Sequence, residues 1–67
     1  MNAEEMFEKL GYKKLQLSSS GYIEYERLID DKCFSFDLIS EEIGVCDDNI
    51  TMEELKAINK QCEELWW

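Results

Sequence analysis

The sequence predicts an α+β domain: a helix, an antiparallel meander of three to four strands, and a second helix, with both helices on one face of the sheet. Three observations predict it. Both ends repeat apolar residues at helical spacing behind a capping residue, the middle alternates apolar and polar residues, and the alternating runs are joined by a few polar residues. Strands joined so briefly pair antiparallel, because a parallel crossover needs about a dozen residues or more. Each helix has one apolar stripe, so the economical arrangement lays both on one sheet face and leaves the other wet.

At the start, Asn2 caps a helix, Glu5 completes a capping box and Met1 packs across to Met6 as a hydrophobic staple. Ala3, Met6, Phe7 and Leu10 share a face, Lys9 suits the negative helix end, and Gly11 supplies the left-handed closing residue, giving a helix over 3–10. From Tyr12 the period becomes alternating, with Leu15 and Leu17 on one side and Lys14 and Gln16 on the other. Ser18, Ser19, Ser20 and Gly21 close a hairpin into a second strand, 22–29, where Ile23, Tyr25 and Ile29 face inward and Glu24 and Glu26 outward. The turn Asp30, Asp31, Lys32 leads to a third strand, in which Phe34, Phe36 and Leu38 alternate with Cys33, Ser35 and Asp37.

After the polar turn 40–42, the stretch 43–46 returns as a short fourth strand whose preference Gly44 lowers. Thr51 and Glu54 form a second capping box with Ile50 and Leu55 as its staple, and Leu55, Ile58, Cys62 and Leu65 make the stripe of a helix from Met52 to near the end. The expected core is Met6, Phe7, Leu10, Ile23, Tyr25, Phe34, Phe36, Leu38, Leu55, Ile58, Cys62 and Leu65.

Sixty-seven residues leave room for one domain and one core. Sixteen acidic residues against seven basic ones give a net charge of −9. Such a field repels phosphate backbones and anionic membranes, so neither direct nucleic-acid nor membrane binding is expected. Solubility alone accounts for acidity of this kind; the functional reading is a partner with a basic surface, met by Glu24, Glu26 and Asp37 on the wet sheet face. Without a charged leader followed by an apolar run, and without about 18 consecutive apolar residues, the expected location is a reducing cytoplasm.

The chain has no histidine, which removes the usual general base, proton shuttle and metal imidazole together. Cys33, Cys46 and Cys62 are odd in number, widely spaced and without a CxxC pair, so they read as inert packing thiols with no disulfide framework and no zinc site. The acidic turn at Asp47 and Asp48 lacks the layout of a calcium loop, and the three glycines make no phosphate-cradling loop. No catalytic residue, cofactor or metal is expected. Continuing the helix places Trp66 at the border of its stripe, half covered, and Trp67 further out. The pair reads either as a cap on the core or as the contact of a homodimer or other partner.

The segments MNAEEMFEKLGYKK, FSFDL and ITMEELKAINKQCEEL resemble a group of small uncharacterised proteins encoded by phages and prophages of Gram-positive bacteria. Members of that group often carry histidine in the ITMEE helix and end in a single Trp after Gly, where this chain has Leu55 and Leu65-Trp66-Trp67. The resemblance implies a bacterial host cytoplasm, a mobile element and a product that binds rather than catalyses. The expected function is therefore a non-enzymatic phage-encoded binding protein that antagonises a host defence or nucleic-acid-handling protein. Two other classes stand beside it. One is an oligomeric sponge for a small nucleotide, stacking bases on Tyr12, Tyr22, Tyr25, Trp66 and Trp67 and meeting phosphate with Lys13, Lys14 or Arg27; the other is an accessory protein acting by self-association.

Overall fold

A computed structural model describes residues 1–15 and 21–67. The expected places of Gln16, Leu17 and the serine turn Ser18 to Ser20 lie outside the described residues. Helix α1 (Ala3–Lys9) is followed by strands β1 (Lys13–Leu15), β2 (Tyr22–Arg27), β3 (Lys32–Asp37) and β4 (Glu42–Val45), and by helix α2 (Met52–Glu64). The strands form one antiparallel sheet in the order β1-β2-β3-β4. The α+β meander flanked by two helices is thus the observed architecture. No helix among the described residues is long and apolar enough to cross a membrane.

Both helices start on the capping boxes the sequence contains. The Asn2 side chain accepts from the Glu5 amide at 2.8 Å while Glu5 accepts from the Asn2 amide at 3.0 Å, and Thr51 and Glu54 repeat the exchange at 3.1 and 2.9 Å. Each helix also ends alike. The Tyr12 amide reaches back to the Phe7 carbonyl and the Gly11 amide to Glu8, and at the second helix Trp67 reaches Cys62 and Trp66 reaches Glu63. Both are Schellman closures, which require a left-handed residue after the cap. Gly11 takes it at φ +92° and Trp66 at φ +63°.

The register decides which side chains share a face. Tyr25 stands opposite Phe34, Ile23 opposite Phe36, and Phe34 and Phe36 opposite Val45 and Ile43, so these face the helices. Glu24, Glu26, Cys33, Ser35, Asp37, Glu42 and Gly44 face the other way. On the helix side, Phe7 from α1 stacks on Tyr25 with ring centroids 4.0 Å apart and meets the edges of Tyr12 and Phe36. Ala57 and Ile58 of α2 complete the fully buried cluster, with Met6, Leu10, Ile23, Cys62, Leu65 and Trp67 packed against it. The helices run antiparallel, since a Glu64 oxygen accepts from the Ala3 amide at 2.7 Å.

Several expected places are corrected. Ile29 is 91% exposed because β2 ends at Arg27 and Ile29 lies in the turn that follows. Leu38 likewise lies beyond β3, in the next turn, and is exposed. Lys32 is not a turn residue; it begins β3, buried, in phase with Phe34 and Phe36. Leu55 is 39% exposed, because α2 turns Glu54, Ala57, Ile58 and Gln61 inward and carries Leu55 to the edge of its stripe. Cys33 and Cys46 are not separate packing thiols; they face each other across β3 and the end of β4, joined as a disulfide with Cα atoms 5.2 Å apart. Their separation along the chain hid a pairing that the hairpin register creates.

Candidate binding surface

The helix-free sheet face brings together the three acidic residues the sequence marked. Glu24 and Glu26 project from β2 and Asp37 from β3, and the register adds Glu42 from β4, opposite Asp37. Lys13 of β1, opposite Glu26, is the cation placed on this face among the described residues. The face is therefore an acidic surface with partial neutralisation at one edge.

Asp37 has local work as well. Its Oδ1 accepts from the Ile39 amide at 3.0 Å and the Ser40 amide at 3.1 Å, and these donors hold its carboxyl below the ordinary carboxylate range. It shapes the β3–β4 turn, which closes on Glu41 at φ +57°. Glu24 and Glu26 have no such task in any hydrogen bond or ion pair of the described residues and are the freer acidic groups.

The two tryptophans exchange their expected places. Trp67 packs on the core, its ring 6.3 Å from Phe36, and Trp66 is 94% exposed. The cause is the left-handed turn at Trp66, which ends the 100° progression of the helix and folds the next residue back onto the sheet. An L side chain in this conformation costs about 1–2 kcal/mol, and here it displays an indole to water. Because Phe36 stands opposite Ile43, this helix end lies at the beginning of β4.

The second acidic cluster is interior. Glu54 is 1% exposed, yet every oxygen is engaged. Oε2 accepts from the Tyr12 hydroxyl at 2.7 Å, and Oε1 accepts from Lys32 Nζ at 2.7 Å and from the Thr51 amide. Arg27 stands 3.6 Å from the same carboxylate while gripping Asp30 through two nitrogens and donating to the Leu10 carbonyl. Burial pushes the Glu54 carboxyl up, but the donors from Lys32, Thr51 and Tyr12 outweigh it and hold it below its ordinary value. Burial and the Glu54 partner push the Tyr12 hydroxyl up, away from ionisation. A second buried pair, Tyr25 donating to Gln61 at 2.6 Å, ties the other end of α2 to the sheet.

Sequence reasoning read Glu54 as a cap and missed its second role. The available signal was Lys32, which alternation places on the core face with Phe34 and Phe36, where a lone ammonium demands a carboxylate. No buried side-chain polar atom among the described residues lacks a partner. The network therefore pins α2 to β3. A cavity of about 140 Å³ is lined by Met1, Met6, Lys9, Leu10 and Glu53 at the junction of the two helices. Among the described residues no group of three or more His, Cys, Asp or Glu side chains is placed to hold a metal ion.

Comparison with protein-family models, with curated proteins and with solved structures finds no match to this chain.

Proposed function

We propose that this chain is a non-enzymatic binding protein that docks on the basic surface of another protein, in the context its resemblance implies: a phage product in a bacterial host, antagonising a defence nuclease or another nucleic-acid enzyme. The observation that supports it is the segregation of charge. Glu24, Glu26, Asp37 and Glu42 share one sheet face. Asp37, Glu41, Glu42, Asp47, Asp48 and Glu53 are six acids outside the core in the span from Cys33 to Leu55, which contains no Lys or Arg, while the seventh acid of that span, Glu54, is buried against Lys32. Electrostatic steering of this kind favours a cationic partner and weakens with salt.

Affinity capture from the host bacterium at low and high ionic strength tests the reading, with Glu24→Lys/Glu26→Lys as the control. A protein retained at low salt, released at high salt and lost on the charge reversal is the expected result. Recovery of no protein at low salt contradicts it.

The exposure of Trp66 favours one further reading, a homodimer through this helix end. Light scattering across a dilution series decides it, because a monomer at every concentration leaves the indole with no second copy. The nucleotide-sponge reading draws less support. Tyr12 and Tyr25 lie in the core, Trp67 packs on Phe36, Arg27 is held by Asp30 and Lys14 is paired with Glu4, which leaves Tyr22, Trp66 and Lys13 among the named residues for any base or phosphate.

A further inference from the structure

The helices cover the sheet unevenly. All four residues of β4 are exposed, and although Ile43 and Val45 face the helix side with Phe36 and Phe34, each remains 39% exposed. On α2, Glu64 marks the flank toward α1, and Leu55 and Cys62 lie about 160–180° round from it, on the flank away from α1. Leu55 is also 39% exposed. Ile43 and Val45 thus leave an apolar shelf along β4 on the helix side, and Leu55 and Ile50 are also partly exposed.

β4 is also an edge strand. The Cys46 amide donates to the Cys33 carbonyl at 3.1 Å. Antiparallel pairing alternates inward and outward groups, so Gly44 and Glu42 also turn their backbone groups toward β3, while Ile43 and Val45 turn theirs outward. Among the described residues no backbone group pairs with these, so a row of two donors and two acceptors stands open along the shelf. An unpaired edge is a template for one more strand.

We propose that β4 takes an extended segment of a partner protein as a fifth, antiparallel strand, and that the segment alternates apolar with basic residues. This rests on the binding-protein reading above and specifies its partner. Residues of the segment opposite Ile43 and Val45 share their face, drop onto the apolar shelf and exchange the backbone bonds. The intervening residues face the helix-free side, where Glu42, Asp37 and Glu24 select Lys or Arg. Charge argues against a second copy as occupant: antiparallel pairing of β4 with itself lays Glu41 and Glu42 beside Asp47 and Asp48, with no cation between Cys33 and Leu55 to offset them.

The probe is a blocked octapeptide alternating Val and Lys, titrated calorimetrically into the full chain, with an alternating Ser and Lys octapeptide of equal charge as comparison. The Val-Lys peptide binds on the order of tenfold more tightly or better, since the shelf adds apolar burial to the same charge. N-methylation of its valines, whose amides face β4, weakens binding about tenfold, whereas N-methylation of its lysines, whose amides face away, leaves it unchanged. The protein variants Val45→Pro and Ile43→Thr weaken it in the same way, and the peptide series reports independently should Val45→Pro fail to fold. Equal binding of the two peptides with no penalty for either methylation overturns strand addition and leaves the acidic-surface reading standing. Binding of neither peptide at low salt overturns both. A homodimer that Val45→Pro dissociates replaces the partner segment with a second copy and overturns the proposal.

Discussion

Strands β2 and β3 and strand β4 belong to one sheet but are held in different ways. Tyr25, Phe34 and Phe36 lie fully buried under α1 and α2, and Lys32 is locked to Glu54, whereas β4 buries no residue and is held by its ladder to β3 and the Cys33–Cys46 bridge. The covered part carries the stability. The uncovered part carries open backbone groups, an apolar shelf and unopposed acid, the features that suit contact rather than folding. Local stability divides along such lines, with binding elements drawn from the less protected end.

The largest effect expected is on the covered side. Glu54→Ala leaves the Lys32 ammonium buried without a counter-charge and lowers stability by about 3–5 kcal/mol, enough to unfold much of so small a domain. Lys32→Met/Glu54→Gln removes both charges while keeping an amide oxygen as acceptor for the Thr51 N–H and an amide N–H that donates to the Tyr12 hydroxyl oxygen, and recovers most of that loss in chemical denaturation. Failure of the double variant to recover would show that the pair does more than neutralise itself.

The same network sets a pH window. Because the folded Glu54 carboxyl lies below its ordinary 4.5, its contribution is fully present above that pH and disappears as pH falls through the folded value. Tyr12 and Tyr25 are raised from 10.0, chiefly by burial, so their contribution is present below pH 10 and is lost as pH rises beyond it. Melting temperature across pH is expected to show a plateau that falls at both ends. Phenylalanine at position 25 should flatten the alkaline fall.

Next in size is reduction of the Cys33–Cys46 bridge, which closes a loop of sequence separation 13. Its loss lowers stability by about 2–4 kcal/mol. Exchange in β4 rises first, before that in α2, if the strand depends on the bridge as its lack of buried residues implies. Simultaneous loosening of β4 and α2 would erase the contrast between them.

The smallest effects concern the surface. Trp66→Gly relieves the left-handed strain and raises stability by about 1 kcal/mol, or about 4–8 °C in a domain of this size. Trp67→Ala has the opposite sign, because it removes a ring from the core beside Phe36. Ile43→Thr changes stability little, as its side chain is already partly wet, while it diminishes partner binding.

Most of the fold was legible because its signals are local. The two capping boxes, Gly11 and the alternation through Phe34 and Phe36 each specify geometry within a few residues, and short polar turns left antiparallel pairing as the remaining choice. The misplacements share a cause, a local pattern extended past the point where the chain turns. Ile29 and Leu38 continue an alternation beyond the ends of their strands, and Trp66 continues a helix that has already closed. What joins distant elements was not legible: Cys33 with Cys46, and Glu54 with Lys32 and Tyr12, meet only once register and helix rotation are set. Of the candidate surface, Glu24, Glu26 and Asp37 followed from alternation alone. The β4 shelf did not, because its exposure depends on where α2 sits across the sheet.

Amide hydrogen exchange at four consecutive positions, Ile43 to Cys46, tests the openness of this edge most directly. In the free chain, Ile43 and Val45 should exchange at close to the rate of an unstructured peptide while Gly44 and Cys46 are protected, and saturating Val-Lys peptide should bring Ile43 and Val45 into the protected class. Protection of Ile43 and Val45 in the free chain, or exchange unaltered by bound peptide, would contradict an open edge that a partner strand completes.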